Sequence, residues 1–284
     1  MSLGAAIGIH LRMVRHSPRC RLALLMGVAG LAVVYFEELL RFWGWDRAAV
    51  PSAATAWMGN YESMYTYLWV YLVAFVLPTL ACLLGGDIVL SDIRRGRYPS
   101  IVGRMGRSTY LASAVAASFI CAFIYVLAVM VVSQLMELLA FPAADSIDRF
   151  QTSIYASAAG PRTYSDFSGT LPFGALAGLS PYAANLAYMV YDSWYIAALV
   201  ALACTLSLFF RKSSLAILAA PMVFIVAMGQ IAPARLNPLV NLVESTSRAQ
   251  SLSLQDALLV PALISAAALL LLLVALHLVR GDTL

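Results

Sequence analysis

The sequence predicts an all-α, polytopic membrane protein, and composition and charge spacing are the observations that predict it. Hydrophobic residues make up 62% of the 284-residue chain and charged residues 11%, whereas soluble domains carry about 25% charged residues. Six long stretches hold almost no charge, and a helix needs about 20 apolar residues to cross about 30 Å of hydrocarbon. We therefore expect a single transmembrane domain over residues 1–284.

The predicted transmembrane helices include one short member and one charged member. The first has an uncharged centre at residues 22–36, which spans only about 22 Å, so we expect Arg21 to extend it by reaching toward the interface. The fourth contains Asp192, an acid well inside the predicted span. The six helices are predicted at 20–38, 64–86, 108–137, 182–210, 213–233 and 257–279.

Arginine placement predicts the orientation of these helices. Residues 1–21 carry four arginines and no acid, and residues 87–107 carry five arginines against two aspartates. Loops 37–62 and 137–166 each hold more acids than bases. Because cytoplasmic loops of membrane proteins are enriched in Lys and Arg, we expect both termini in the cytoplasm. The predicted location is the bacterial plasma (inner) membrane, crossed several times.

Two further segments lie outside the predicted spans. Residues 1–19 place Leu3, Ile7, Leu11 and Val14 at helical spacing, with the basic residues mainly elsewhere on the wheel, which predicts an amphipathic interfacial helix. Residues 140–181, rich in Ser, Ala, Gly and Pro, form a predicted external loop. That loop either packs over the outer mouth as a cap or re-entrant loop, or is simply mobile.

Residues 87–107, which we call the arginine-rich segment, connect the second and third predicted spans. They fall within the stretch "SDIRRGRYPSIVGRMGRSTY", where Gly96 and Pro99 break any continuous helix. Ile101, Val102 and Met105 then form a short apolar face. A short surface helix with an apolar face and a basic face is suited to docking onto another protein.

A nucleotide or nucleic-acid site in this segment is not supported. Gly106-Arg107-Ser108 resembles the end of a phosphate loop, but Ile101 stands where that loop needs glycine and Arg107 where it needs lysine. Gly103 to Gly106 match only the four-residue loop of a KH domain. We therefore expect no nucleic-acid partner.

Metal, disulfide and catalytic chemistry are also not indicated. The four cysteines are dispersed without metal spacing. His10, His16 and His277 have no Cys, Asp or Glu at ligand spacing, and no catalytic constellation is apparent at one membrane depth. We expect a non-catalytic chain that binds no cofactor itself.

The arginine-rich segment resembles the first cytoplasmic loop of ABC-2 type permeases. In that family an acid, a glycine, an apolar pair and an R-x-x-R-x-x-Y motif lead into the third helix. The interfacial helix, the six spans and the turn "SLFFRKSSLAILAAP" (Ser207 to Pro221) extend the resemblance over most of the chain, although the larger external segment here lies between spans three and four. The residues that match the loop pattern are Asp92, Gly96, Ile101, Val102, Arg104, Arg107 and Tyr110.

The resemblance implies the membrane subunit of an ATP-driven exporter of a peptide, drug, lipid or other amphipathic substrate. No Walker A motif is present, so ATP and Mg²⁺ would sit on a separate ABC ATPase subunit, working with a second permease copy or paralogue in the bilayer. The arginine-rich segment would be the cytoplasmic coupling loop. The predicted ATPase-coupling residues are Asp92, Arg94, Arg95, Gly96, Ile101, Val102, Arg104 and Arg107.

Asp192 leaves two interpretations open. With Tyr188 and Tyr191 it could line a translocation path as a cation, amine or proton site, because a charge in the membrane usually faces a cavity or a partner. Alternatively it sits near the outer end of a tilted helix and reaches water, within an aromatic belt that includes Trp194 and Tyr195.

Two functions compete with the exporter. One is a secondary transporter or channel, and the other is a non-transporting scaffold or immunity protein.

Overall fold

The computed structural model describes residues 1–45, 50, 52–57, 66–143, 156–157, 160–161, 173, 176, 180–209, 214–233, 236–237, 242 and 254–278. The first half holds α1 (Leu3–Arg15), α2 (Pro18–Arg41), α3 (Ala53–Ala56), α4 (Thr66–Tyr71), a π turn (Leu72–Val76), α5 (Leu77–Gly85), α6 (Ile88–Arg94), α7 (Tyr98–Met105) and α8 (Arg107–Ala140). The second half holds the antiparallel pair β1 (Ala156–Ser157) and β2 (Gly160–Pro161), then α9 (Pro181–Leu206), α10 (Ser214–Ile231) and α11 (Leu254–Leu278).

Four of these helices are long and apolar enough to cross a membrane. They are α2, α8, α9 and α11. The π turn with α5 and α6 forms one further candidate, the second candidate span in chain order, which is bent by 44°. The apolar part of α10, Ile217–Ile231, is shorter. The prediction of an all-α, multi-pass membrane protein is confirmed in this coarser form. The number of six spans and the side of the termini stay predictions, and most of the 140–181 loop lies outside the described residues.

Helix α9 is the centre of the bundle. It packs against α8, α11 and α5, and 78% of its apolar window is buried. Helix α2 lies at the periphery, where only 17% of the window is buried and large apolar side chains such as Leu25 and Val28 face outward. A helix that is apolar all round suits both environments, protein interior and lipid.

Local sequence signals build the two short helices α6 and α7, which precede the long helix α8. Gly96 ends α6 with a φ of 66°, and Gly106 separates α7 from α8 with a φ of 80°, a conformation that costs glycine little. Pro99 lies in the first turn of α7, where the missing N–H of proline costs no intrahelical bond. The predicted break at Gly96 and Pro99 is confirmed.

Helices α5 and α8 approach each other closely at Gly85. A Cβ atom on Gly85 would lie 2.9 Å from the Cα of Ser118, which is shorter than any normal carbon–carbon contact. Small residues at such a crossing allow two backbones to touch in membrane bundles. The second candidate span is therefore held against α8 just before it bends into α6.

We predict that Gly85→Ala destabilises the protein. The added methyl group meets backbone atoms, so the two helices must separate, at a cost of about 1–3 kcal/mol. Thermal unfolding in detergent should show a lower Tm. The matched control is Gly103→Ala on α7, where a Cβ would meet nothing within 4 Å and alanine's helix propensity adds up to about 1 kcal/mol of stability. Equal effects of the two variants would contradict the close approach.

Candidate functional site at the basal end of the bundle

The arginine-rich segment turns three of its five arginines outward and its apolar side chains inward, whereas Arg97 and Arg107 are half-buried. Arg94, Arg95 and Arg104 are exposed. Ile101 and Val102 are half-buried and pack against the core together with buried Met105. The predicted apolar face therefore exists, but it contacts this chain's own bundle. The surface left for a partner is the arginine face. We call the end of the bundle where α1, α6, α7 and the start of α8 meet the basal end.

Asp92 joins three helices at the basal end. Its side chain on α6 is buried, with 1% exposed. Arg97, immediately before α7, donates from Nη2 to Oδ1 at 2.6 Å, and Tyr110 in the first turn of α8 donates from its hydroxyl to Oδ2 at 2.8 Å. The Arg97 N–H also donates to the Asp92 carbonyl at 3.0 Å. Asp92 is thus placed to position the segment, because its oxygens are engaged within the chain.

Tyr110 also connects Asp92 to α1. Its ring centroid lies 5.2 Å from those of His10 and Tyr98, in edge-to-face geometry with each, a favoured arrangement of aromatic rings. His10 on α1 is 0% exposed. The N-terminal helix is therefore packed into the same cluster as the arginine-rich segment, which we call the Asp92 cluster: His10, Asp92, Arg97, Tyr98 and Tyr110.

The buried face of α1 differs from the predicted one. Ala6, His10 and Val14 face the protein, whereas Leu3 is 49% exposed. The predicted row Leu3, Ile7, Leu11, Val14 shares only Val14 with the buried face. The reason is that α1 packs against α8, where the ring of His10 contacts the ring of Tyr110. Periodicity in α1 alone could not show a partner so distant in sequence.

A second ion pair at the basal end was not predicted. Arg19 in the first turn of α2 donates from Nη1 to Oδ1 of Asp87, which is 3% exposed in the turn between α5 and α6. It links the first candidate span to the second. One feature of the sequence indicates this pair: Asp87 lies directly at the end of an apolar run. A buried carboxylate in such a place is stable only if it is paired.

Asp192 lies inside the bundle, so of its two interpretations the one in which it reaches water is wrong. Its side chain is 3% exposed, as are Tyr188 and Tyr191, and Tyr195 is 0% exposed. No described residue is a hydrogen-bond partner of Asp192 Oδ1. The physical reason is that α9 is central, and its tyrosines pack against neighbouring elements in place of an aromatic belt.

The surroundings of Asp192 come from three parts of the chain. The Tyr191 hydroxyl donates to the carbonyl of Ala257 on α11 at 3.0 Å. Phe173, from the 140–181 loop, lies 4.9 Å from Tyr188 and 6.1 Å from Tyr191 between ring centroids. At this described residue, the loop packs against the tyrosines that flank Asp192, and the choice between a cap and a mobile loop stays a prediction.

Two hydrogen bonds give the register of α8 against α9. Ser118 Oγ donates to the Val200 carbonyl at 3.5 Å, and Asn185 Nδ2 donates to Gln134 Oε1 at 2.8 Å. The helices are therefore antiparallel, and Asp192 falls opposite the middle of α8. At 1.5 Å per residue, its level is roughly 24 Å from that of Tyr110. The Asp92 cluster and Asp192 are thus separate sites at different depths.

A polar cluster at the opposite end of α8 was also missed. Gln134 Nε2 donates to the Ala53 carbonyl and Asn185 Nδ2 to the Ala54 carbonyl, each at 2.9 Å. The last carbonyls of a helix lack partners within the helix, and the Ala53 carbonyl here accepts one further bond, from the Trp57 N–H at 3.3 Å. Amide side chains on α8 and α9 therefore hold α3 across this end of the bundle.

Neither a metal site nor a related protein indicates the function of the chain. Among the described residues, no three His, Cys, Asp or Glu side chains form a group that could hold a metal ion. Comparisons with protein-family models, curated proteins and solved structures find no match to the chain. Function must therefore be inferred from the residue pattern and the geometry.

We predict that Tyr110→Phe lowers the Tm of the purified protein. The variant removes a hydroxyl donor from the buried Asp92 carboxylate, and hydrogen bonds to charged groups contribute about 1.5–3 kcal/mol. The control is Tyr98→Phe in the same cluster, because within the described residues the Tyr98 hydroxyl is buried without a partner. That control should be neutral or slightly stabilising. A Tyr110→Phe protein as stable as the Tyr98→Phe protein would contradict the role given to Asp92.

We also predict that stability falls as the pH drops below about 6.5, the ordinary pKa of histidine. Burial lowers the pKa of His10, and this effect exceeds the opposite effect of nearby Asp92. Between the lowered pKa and 6.5 the unfolded chain binds more protons than the folded chain, so the free energy of unfolding rises with pH in this window. His10→Gln should flatten a plot of Tm against pH from 5 to 8. The exposed His16 provides the control, and a slope lost in His16→Gln but kept in His10→Gln would contradict the assignment.

Proposed function

We propose that the chain is the membrane-spanning permease subunit of an ATP-binding cassette exporter in the bacterial plasma membrane. The observation that carries the proposal is the arginine-rich segment, two short helices with outward arginines that are tied to α8 through Asp92. ATP and Mg²⁺ belong to a separate ATPase subunit. This chain is the non-catalytic partner that receives the movement of that subunit.

The contacts support a route for that movement. A push on the arginine face of α7 displaces Arg97 and Asp92 together, since they form an ion pair. Asp92 is bonded to Tyr110, so α8 moves with the segment. Helix α8 is bonded to α9 near Ser118 and Gln134, and the displacement reaches the level of Asp192. This route is part of the proposal, and it runs along the two central helices, α8 and α9.

The proposed topology has six spans with both termini in the cytoplasm. Helix α10, with 18 residues, is about 27 Å long and serves as the fifth span. A second permease copy or a paralogue completes the transporter, together with the ATPase subunits. Asp192, Tyr191 and Tyr188 line the proposed translocation path for an amphipathic peptide, drug or lipid.

An ion-coupled secondary transporter or a channel is the second candidate function, and buried Asp192 favours it. A charge near the bilayer centre costs at least about 2.5–3.5 kcal/mol, and such residues commonly mark ion or proton paths. Substrate flux that stops with an ionophore, but continues without ATP, would support this alternative over the exporter. A non-transporting scaffold or immunity protein would show neither flux nor an ATPase partner.

The exporter proposal is tested by isolating the tagged chain from cross-linked native membranes and identifying its partners by mass spectrometry. We expect an ATPase with a Walker A motif. In this proposal the outward arginines contact an acidic groove of the ATPase. Arg104→Glu should therefore reduce the recovered ATPase at least about tenfold, because a like charge placed against that groove costs several kcal/mol. Arg104→Lys keeps the charge at the same exposed position and should retain most of the ATPase.

Two results would contradict the proposal. One is the absence of any ATPase from the cross-linked complex of the unmodified chain. The other is equal ATPase recovery with Arg104→Glu and Arg104→Lys, together with unchanged transport, which would remove the arginine face from the coupling contact. Raised salt should weaken the wild-type complex, because exposed charge pairs are screened over about 10 Å at 0.1 M ionic strength.

A further inference from the structure

We infer that a cavity at the basal end binds a phosphate group, carried by a membrane phospholipid. The cavity has a volume of 330 Å³ and lies between α1, the start of α2 and α6. Both charged and apolar residues line it. The site does not rest on the exporter proposal, since it needs no ATPase.

The cavity lining carries more positive than negative charge. Arg19, Arg95 and Arg97 line it, against Asp87 and Asp92. Both acids are almost fully buried, and each is already bonded to an arginine. Within the described part of the chain, Arg95 forms no ion pair. The planar guanidinium group has five N–H donors, so the arginines keep donors for an anion.

Two further groups on the cavity wall lack acceptors. His10 is 0% exposed, and neither of its ring nitrogens has a hydrogen-bond partner among the described residues. The Nε of Arg97 is likewise buried and unpaired in the described chain. Buried polar groups in proteins nearly always have a partner. A tetrahedral anion with several oxygens would supply acceptors to this wall.

The start of α2 adds a second electrostatic feature. Ser17 and Pro18 line the cavity, and they are the N-cap and the first residue of a 24-residue helix. The N-terminus of a helix carries a partial positive charge, and its N–H groups favour phosphate. The helix therefore contributes to the same preference as the arginines and the unpaired nitrogens.

The apolar part of the lining distinguishes a lipid from free phosphate. Met13, Val14, Leu84 and Ile88 face the cavity, and Leu84 belongs to the bent candidate span that continues into the bundle. A phospholipid would place its phosphate among the arginines and its glycerol and first acyl carbons against these side chains. An inorganic phosphate ion would leave the apolar part uncovered.

The test is native mass spectrometry of the full chain in a neutral detergent. The three probes are phosphatidylglycerol, a diacylglycerol with the same acyl chains, and inorganic phosphate. Phosphatidylglycerol should bind at least about tenfold more tightly than either other probe. Arg95→Gln, which leaves both ion pairs intact, should weaken its binding about fivefold through loss of a charge-assisted hydrogen bond. The control is Arg12→Gln, because Arg12 is exposed on α1 and does not line the cavity.

Each outcome decides the assignment. Weaker lipid binding in Arg95→Gln with unchanged binding in Arg12→Gln supports it. Equal binding of diacylglycerol overturns the phosphate site, because it shows that only acyl chains are held. Binding of inorganic phosphate as tight as that of the lipid, and dependent on Arg95, overturns the lipid source. Equal losses in both arginine variants also overturn the proposal, since they reflect overall charge.

Discussion

The buried carboxylate of Asp92 is the interaction on which the basal end of the molecule depends. A carboxylate is stable away from water only when donors surround it, and here the donors come from Arg97 and Tyr110. The chain can bring both to Asp92 because Gly96 and Gly106 adopt positive φ on either side of α7. The Arg97 side chain remains 43% exposed, so the pair contributes more to fixing the geometry than to net stability.

The central pair α8 and α9 separates this polar region from Asp192 by apolar packing. Tyr195, Ile196 and Leu199 are fully or nearly fully buried on α9, and the polar contact of Gln134 with Asn185 closes the pair at its far end. Close-packed interiors transmit displacement, since they leave few voids to absorb it. In the proposed exporter, a movement of the basal end reaches the tyrosines around Asp192 through this packing, without a chain of charged side chains.

Hydropathy and local breakers predicted the class of the protein and the position of the long helices. Those features depend on neighbours in sequence, as the φ of Gly96 illustrates. The interior contacts could not be predicted in the same way. Asp87 and Arg19 are 68 positions apart, and the inward orientation of Asp192 follows from α9 being enclosed by other helices. The same limit explains α1, whose buried face is selected by Tyr110 and not by its own apolar row.

The π turn at Leu72–Val76 changes which residues of the second candidate span share a face of the helix. A π turn closes its hydrogen bonds one residue later than an α-helix, which acts like one inserted residue and offsets the two sides by about 100°. Side chains before the π turn and after it therefore lie on different faces of a continuous helical wheel. Gly85, which faces Ser118, lies after the turn, so a wheel drawn continuously from Leu68 would place it about 100° from its true direction.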